Sequence, residues 1–244
     1  MQKIFKLPPI LYLRSIKNTL TKRNKNLKIK DYLNFISFYS KWKYSIQNKD
    51  GNTPLESGKP WITFAAIEFL EKILSNNDRV FEYGTGGSTI FFAKRAKRVI
   101  SVEHDIEWYN NVFTKLNEEG LNNVVINCIQ GENLTSDSLI EPTSYNSCYS
   151  EQGLTFSKYV HSINDYPDNY FDLVLVDGRA RTPCIKQACS KVKPGKYILL
   201  DNSDRDRYQL AIRELILGWK RVTYEGPTLC LPWFTQTSVW QKKV

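Results

Sequence analysis

Three glycines in one short turn limit this chain more than any other feature. Gly84, Gly86 and Gly87 follow a short apolar run (Val80, Phe81) and one acid, Glu82, and they precede a helical stretch that runs from Ile90 towards Arg98. Ser88 and Thr89 are suited to cap that helix. A strand, a glycine turn and a helix N-terminus together present unpaired backbone N–H groups to a ligand with no Cβ in the way. The pattern is that of a nucleotide-type cofactor loop. Its alternative is a tight glycine turn in some other α/β protein.

The nicotinamide fingerprint requires glycine at the first, third and sixth positions of such a turn. Counted from Gly84, the sixth position is Thr89. The acid stands before the first glycine, where it would repel a pyrophosphate and welcome an ammonium group or a ribose edge. The stretch resembles the first motif of the class I S-adenosylmethionine-dependent methyltransferases, acid-x-Gly-x-Gly. The resemblance implies that Glu82, Gly84, Gly86, Gly87 and Ser88 contact S-adenosylmethionine.

About twenty residues past the turn, Arg98–Val102 reads as a second strand ending on Glu103, His104 and Asp105. An acid at that position of a doubly wound fold accepts two hydrogen bonds from a ribose diol. Glu103 is therefore the expected ribose ligand, and Asp105 the cap of the next helix. A third strand covers Val124–Ile129. Under the resemblance, Glu132 or Gln130 would then meet the adenine amine, although a plain turn fits there equally well.

Phe171–Val176 has the apolar, β-branched composition of a central strand and ends on Asp177. Lys193–Lys196 reads as a turn into a further strand, Tyr197–Leu200, which ends on Asp201 and Asn202. Two carboxylates and an amide carbonyl suit Mg²⁺, a hard ion that takes oxygen ligands. The arrangement resembles the metal site of catechol-type and macrocin-type (sugar) O-methyltransferases, and implies Asp177, Asp201 and Asn202 as ligands. The catechol pattern has a lysine three residues after the first aspartate, where this chain has Ala180. Either the metal alone activates the acceptor hydroxyl, or Asp177 acts as base without metal, or these acids are strand-end caps. Arg179 and Arg181 flank the site and offer guanidinium groups to an anionic substrate. Asp177, Arg179 and Asp201 are the candidate catalytic residues.

The chain ends in a helix from Ala211, a strand over Lys220–Glu225 and a last strand from Thr237, with no helix between the two strands. That implies an antiparallel hairpin, the usual close of the methyltransferase sheet. The expected fold is α/β: a seven-stranded Rossmann-like sheet over residues 51–244, with a basic, partly helical extension over 1–50. The extension carries twelve Lys or Arg against Asp31 and Asp50, whereas the whole chain has a net charge of +9. Pro8 and Pro9 are expected to interrupt any early helix. From Asp31, as cap, Tyr32, Phe35, Ile36, Tyr39 and Lys43 or Ile46 recur at helical spacing. This helix either packs on the main domain or offers an electropositive face to a membrane surface or another anionic partner.

A helix over Trp61–Leu74 leads into the glycine loop; Lys59-Pro60-Trp61 at its entry either lines the cofactor mouth or, as is commoner, buries Trp61 as the helix anchor. Residues 133–168 are rich in Ser, Tyr and Asn and read as an insertion with a short helix or strand near Phe156–His161, suited to shaping a substrate pocket. Five cysteines without a CxxC pair, and no long apolar run, read as reduced thiols in a cytoplasmic protein. Base-methylating enzymes of this fold tend to carry an Asn/Asp-Pro-Pro-aromatic motif after the fourth strand, where this chain has Asp177-Gly178-Arg179-Ala180. The acceptor implied is a small-molecule or glycan hydroxyl. Nucleic-acid bases are disfavoured, and an RNA ribose stays open. The rival reading is a non-catalytic scaffold that uses its basic N-terminus. The sequence leaves the oligomeric state open.

Overall fold

The computed structural model describes residues 8–23, 29–48, 53–133, 148 and 153–244. Helices α1 (Pro8–Arg23), α2 (Ile29–Gln47) and α3 (Phe64–Ile73) precede β1 (Arg79–Tyr83). Then follow α4 (Gly87–Ala93), β2 (Arg98–Glu103), α5 (Ile106–Glu118) and β3 (Val124–Cys128). A two-residue ribbon pairs β4 (Glu132–Asn133) with β5 (Leu154–Thr155), and α6 (Ser157–His161) leads to β6 (Phe171–Val176). The chain closes with α7 (Arg181–Lys191), β7 (Val192–Asp201), α8 (Gln209–Leu215), β8 (Lys220–Gly226) and β9 (Thr235–Gln241).

The main sheet has seven strands in the order β3-β2-β1-β6-β7-β9-β8. β3, β2, β1, β6 and β7 pair in parallel, while β9 runs antiparallel to both β7 and β8. Strand order reverses at the β1–β6 boundary, which opens a crevice at the carboxyl ends of these two strands. Along each central strand alternate residues face opposite layers. Val80, Val99, Leu173, Leu175 and Leu199 face α3, α4 and α5. Phe81, Tyr83, Val102, Val174, Val176 and Leu200 face α6, α7 and α8. Every residue of β6 is buried, as its apolar composition requires.

Four details depart from the sequence reading. α1 begins at Pro8 instead of being interrupted there. Proline is tolerated in the first helical turn, where its missing N–H has no intrahelical partner to lose. α2 begins at Ile29, ahead of Asp31, and its buried line is Phe35, Phe38, Trp42 and Ser45. Tyr32 and Ile36 face outward instead, because the contact that sets the helix phase is tertiary. Trp42 is fully buried and its Nε1 donates to the Leu231 carbonyl at 2.7 Å. Burying a side chain of that size contributes about 2 kcal/mol.

α1 packs by the same contact, with the Tyr12 hydroxyl donating to the Phe35 carbonyl and the Ser15 hydroxyl to that of Pro232 (3.1 Å). Tyr12, Phe38 and Trp42 share one cluster with Ile62, Leu70 and Leu229, so these helices complete the core of the sheet's α3 face. Trp61 precedes α3 and is 49% exposed, although its Nε1 still anchors it to the Leu229 carbonyl. The expected turn at Lys193–Lys196 is a bulge inside β7, where pairing with β6 slips between Phe171 and Leu173. Pro194 donates no hydrogen bond and Gly195 has φ +77°, which suits a bulge better than a continuous ladder.

Much of the insertion, residues 134–147 and 149–152, lies outside the described residues, so its expected pocket-shaping part does too. Among the described residues no helix is long and apolar enough to cross a membrane.

Candidate functional site

The glycine turn brings the ends of β1 and β6 together. Gly84 has φ +94°, and a Cβ there would stand 3.1 Å from the Gly178 Cα. Gly84 N donates to the Val102 carbonyl and Asp177 N to that of Tyr83, which ties the turn to both neighbouring strands. Gly87 opens α4 under the loop before α3, and a Cβ there would fall 2.0 Å from the Pro54 carbonyl oxygen and 2.3 Å from that of Lys59. Only glycine fits at that position.

Glu82 lies beneath this turn and is 1% exposed. Its Oε2 accepts hydrogen bonds from the Thr89 hydroxyl (2.7 Å) and the Ser101 hydroxyl (2.8 Å), and Thr89 Oγ1 in turn accepts from Gly86 N. Burial pushes its pKa up to about 7 against the pull of the surrounding hydroxyls, Ser88 included. Oε1 is buried with no hydrogen-bond partner among the described residues. A buried carboxylate oxygen with a spare lone pair fits the ammonium end of an amino-acid-like ligand.

Glu103 presents the opposite condition. Its Oε2 accepts from Thr85 N (3.0 Å) and the Thr85 hydroxyl (2.9 Å), while Oε1 accepts from His104 N (2.7 Å) and Asp105 N (3.0 Å). His104 Nδ1 lies 2.6 Å from the same Oε1, and His104 Nε2 accepts from Arg179 Nε at 2.9 Å. Burial alone would raise the Glu103 pKa; the bonds from His104 and Asp105 outweigh it and hold the carboxyl at about 2. The expected ribose ligand therefore stands at its expected strand end with its lone pairs engaged. A ribose diol at Oε2 requires Thr85 to yield. Trp108, whose Nε1 donates to the Thr85 carbonyl, packs over Gly86. Asp105 caps α5 through Trp108 N, as expected.

Asp177 and Asp201 meet at the ends of β6 and β7, and Arg181 stands between the two strands. Its Nη2 lies 2.8 Å from Asp177 Oδ1 and also donates to the Asp177 carbonyl. Its Nη1 donates to the Asp201 carbonyl and its Nε to that of Gly178. Burial raises the Asp177 pKa against the opposing charge of Arg181. Burial, then the charge of Asp177, pushes Asp201 up to about 7, although Asp201 Oδ1 accepts from the Thr237 hydroxyl at 2.8 Å. Asn202 Oδ1 accepts from Arg205 Nη2 at 2.6 Å.

These residues do not fit the expected Mg²⁺. One oxygen of each expected ligand is already bonded within the protein, and the charge between the two strand ends is balanced by a guanidinium. Among the described residues no group of three or more His, Cys, Asp or Glu side chains is arranged to hold a metal ion. Arg179 joins the Glu103–His104 chain, and its side chain makes no hydrogen bond to Asp177 or Asp201. Glu132 is exposed on β4 and pairs with Lys158 at 2.5 Å. A cavity of about 470 Å³ between α2 and α3 is lined by Lys41, Tyr44, Lys59, Phe64, Glu68 and Leu229, and by none of the expected cofactor, catalytic or metal residues.

Sequence reasoning missed the parts played by Thr85, Trp108, Thr237 and above all Arg181. Only Arg181 left a signal, an arginine four residues after Asp177 at the start of a helix.

No protein-family model and no curated protein matches the chain. Solved structures do. A Klebsiella pneumoniae protein assigned as an O-methyltransferase superposes with a TM-score of 0.55 at 17% identity, over 84% of this chain and 97% of that one. An rRNA methylase from Streptococcus thermophilus gives 0.50 at 13% identity, over 72% and 93%. A protein from Streptococcus mutans assigned as a methyltransferase, in complex with SAH, gives 0.50 at 13%, over 71% and 94%. At such identities the likeness is one of fold, and it agrees with the parallel sheet closed by the antiparallel β7-β9-β8 edge. The chain has the fold of the class I S-adenosylmethionine-dependent methyltransferases.

Proposed function

We propose that this protein is an S-adenosylmethionine-dependent methyltransferase acting on a hydroxyl group of a small molecule or glycan. The observation that carries the reading is Glu82. A fully buried carboxylate keeps an unpartnered oxygen directly under a glycine turn, at the crevice where the strand order reverses. S-adenosylmethionine would supply an electrophilic methyl group there.

Glu82 would hold the ammonium end. Gly84 N and Gly86 N are spent on the Val102 carbonyl and the Thr89 hydroxyl, so Gly84, Gly86, Gly87 and Ser88 would contact the cofactor through the close approach the turn allows, and Glu103 would take the ribose diol once Thr85 releases Oε2. Glu132 is retained as a contact to the adenine side. Asp177, whose side chain is 25% exposed, is the carboxylate an acceptor can reach. Asp201 lies behind it, and its raised pKa keeps a proton-accepting group poised near neutrality. Arg181 fixes both strand ends, so the acceptor oxygen would meet a rigid floor. Arg179 acts at one remove, by orienting His104 against Glu103. We take residues 51–244 as the methyltransferase unit, and residues 8–48 as the helices that complete its core.

The test is transfer of labelled methyl groups from S-adenosylmethionine to a panel of hydroxyl compounds. Asp177→Asn is expected to reduce turnover at least about 100-fold with cofactor affinity unchanged, the scale of losing a positioned base. Full turnover in that variant contradicts the site.

A further inference from the structure

Beyond the cofactor crevice, two arginines converge, neither of them ion-paired with a carboxylate among the described residues. Arg205 Nη1 and Arg207 Nη2 both approach the Tyr208 hydroxyl oxygen, at 3.4 and 3.1 Å. Their charged ends therefore stand within about 6.5 Å of each other. Both also lie over the Tyr208 ring, their Cζ atoms 6.0 and 5.1 Å from its centroid. The ring is 4% exposed, so it is a fixed post. Asp204 and Asp206 alternate with the arginines in sequence, which invites mutual salt bridges. Among the described residues, however, neither arginine forms an ion pair with a carboxylate. Arg205 also reaches Asn202 Oδ1 and stands close enough to Asp177 for its charge to lower that carboxyl's pKa.

Like charges gathered on one neutral oxygen repel each other unless an anion joins them. Two guanidinium forks side by side match a group with several oxygen acceptors. Their place, three and five residues past Asn202 and just beyond the end of β7, lies beside the position proposed for the acceptor hydroxyl. We propose that Arg205 and Arg207, gathered by Tyr208, form an oxyanion subsite that holds a phosphate or carboxylate group of the methyl acceptor. The acceptor is thus an anionic hydroxyl compound. Its identity as acceptor rests on the function proposed above; the anion site itself does not.

The test titrates the full chain separately with inorganic phosphate and with acetate at constant ionic strength, followed by calorimetry. S-adenosylhomocysteine affinity is measured in parallel. Saturable binding of one anion is expected, and the tighter of the two identifies the group. R205Q/R207Q is expected to weaken it at least about tenfold, the scale of removing one side of a charge-assisted contact, with S-adenosylhomocysteine affinity unchanged. Y208F, which keeps the ring and releases both arginines, is expected to weaken it by a smaller factor, and it decides the matter if the double variant does not fold. Saturable binding of neither anion, or equal binding by wild type and R205Q/R207Q, overturns the subsite. Anion binding without any S-adenosylhomocysteine binding counts against the methyltransferase reading and leaves the subsite standing.

Discussion

Glu103 and Asp201 end two parallel strands of one mixed sheet and are equally buried, 3% and 4% exposed, yet they sit at opposite ends of the carboxylate range. Glu103 is held at about 2 and Asp201 at about 7. The difference lies in the supply of donors. Glu103 is followed by a turn and faces the glycine loop, and both release backbone N–H groups (Thr85, His104, Asp105) towards it. Asp201 is paired with Thr237 across an antiparallel ladder; it takes the Thr237 hydroxyl and the Asn202 backbone N–H, fewer donors than Glu103 has, and the neighbouring charge of Asp177 adds to the effect of burial. Burial costs a carboxylate its charge only where donors are scarce. Glu103 is thereby a fixed anion, and Asp201 keeps a proton in play.

Arg181→Met would test the comparison most severely. It removes the Arg181 cation from the ends of β6 and β7 and leaves the Asp177 carboxylate and the carbonyls of Asp177, Gly178 and Asp201 lacking their donor. A loss of about 3–5 kcal/mol in urea unfolding is expected. A loss below about 1 kcal/mol would mean that the two aspartates share no buried charge. Glu103→Gln keeps the shape but sets an amide NH₂ against N–H donors, and should cost about 2 kcal/mol.

The pH dependence sharpens the contrast, because the two groups act with opposite sign. Glu103 binds its proton less readily folded than unfolded. Its contribution is present above the unfolded carboxyl pKa and is lost as pH falls towards about 2. Asp201 binds its proton more readily folded. Its contribution is present below the unfolded carboxyl pKa and is lost as pH rises towards about 7. The Glu103→Gln curve should therefore lose part of its acid limb, and the Asp201→Asn curve part of the slope between about pH 4 and 7, the rest of which Glu82 carries with its own pKa of about 7. Identical curves for the three proteins would remove the distinction. The smallest effect is expected of Thr85→Ala, which frees one bond on Glu103 Oε2. It should cost about 1 kcal/mol of stability and tighten S-adenosylmethionine binding by roughly threefold, since one fewer bond must be exchanged.

The fold was legible because its strongest signals are local. The glycine turn, the unbroken apolar run Phe171–Val176 and the final strands without a helix between them each name an element of the sheet. The positions of Glu82, Glu103, Asp177 and Asp201 followed from counting along those elements. Their bonding partners did not, because these come from residues far apart in sequence: Thr85 for Glu103, Arg179 for His104, Thr237 for Asp201. The outward turn of Tyr32 and Ile36 in α2 has the same origin, since Phe35 and Trp42 find their partners, Phe234 and the Leu231 carbonyl, in the loop before β9. Mg²⁺ was expected from the oxygen ligands and from the resemblance to catechol-type and macrocin-type O-methyltransferases. The groups that take up those oxygens, Arg181 at Asp177, Thr237 at Asp201 and Arg205 at Asn202, are invisible to that argument until the chain is seen to fold back over both strand ends.

The most direct measurement is calorimetric titration of the protein with S-adenosylmethionine, with NAD as comparison and Glu103→Ala as the variant. The account predicts saturable binding of S-adenosylmethionine, none of NAD, and a loss of at least about tenfold in affinity on removing the carboxylate. No binding of S-adenosylmethionine, or binding indifferent to Glu103, would contradict it.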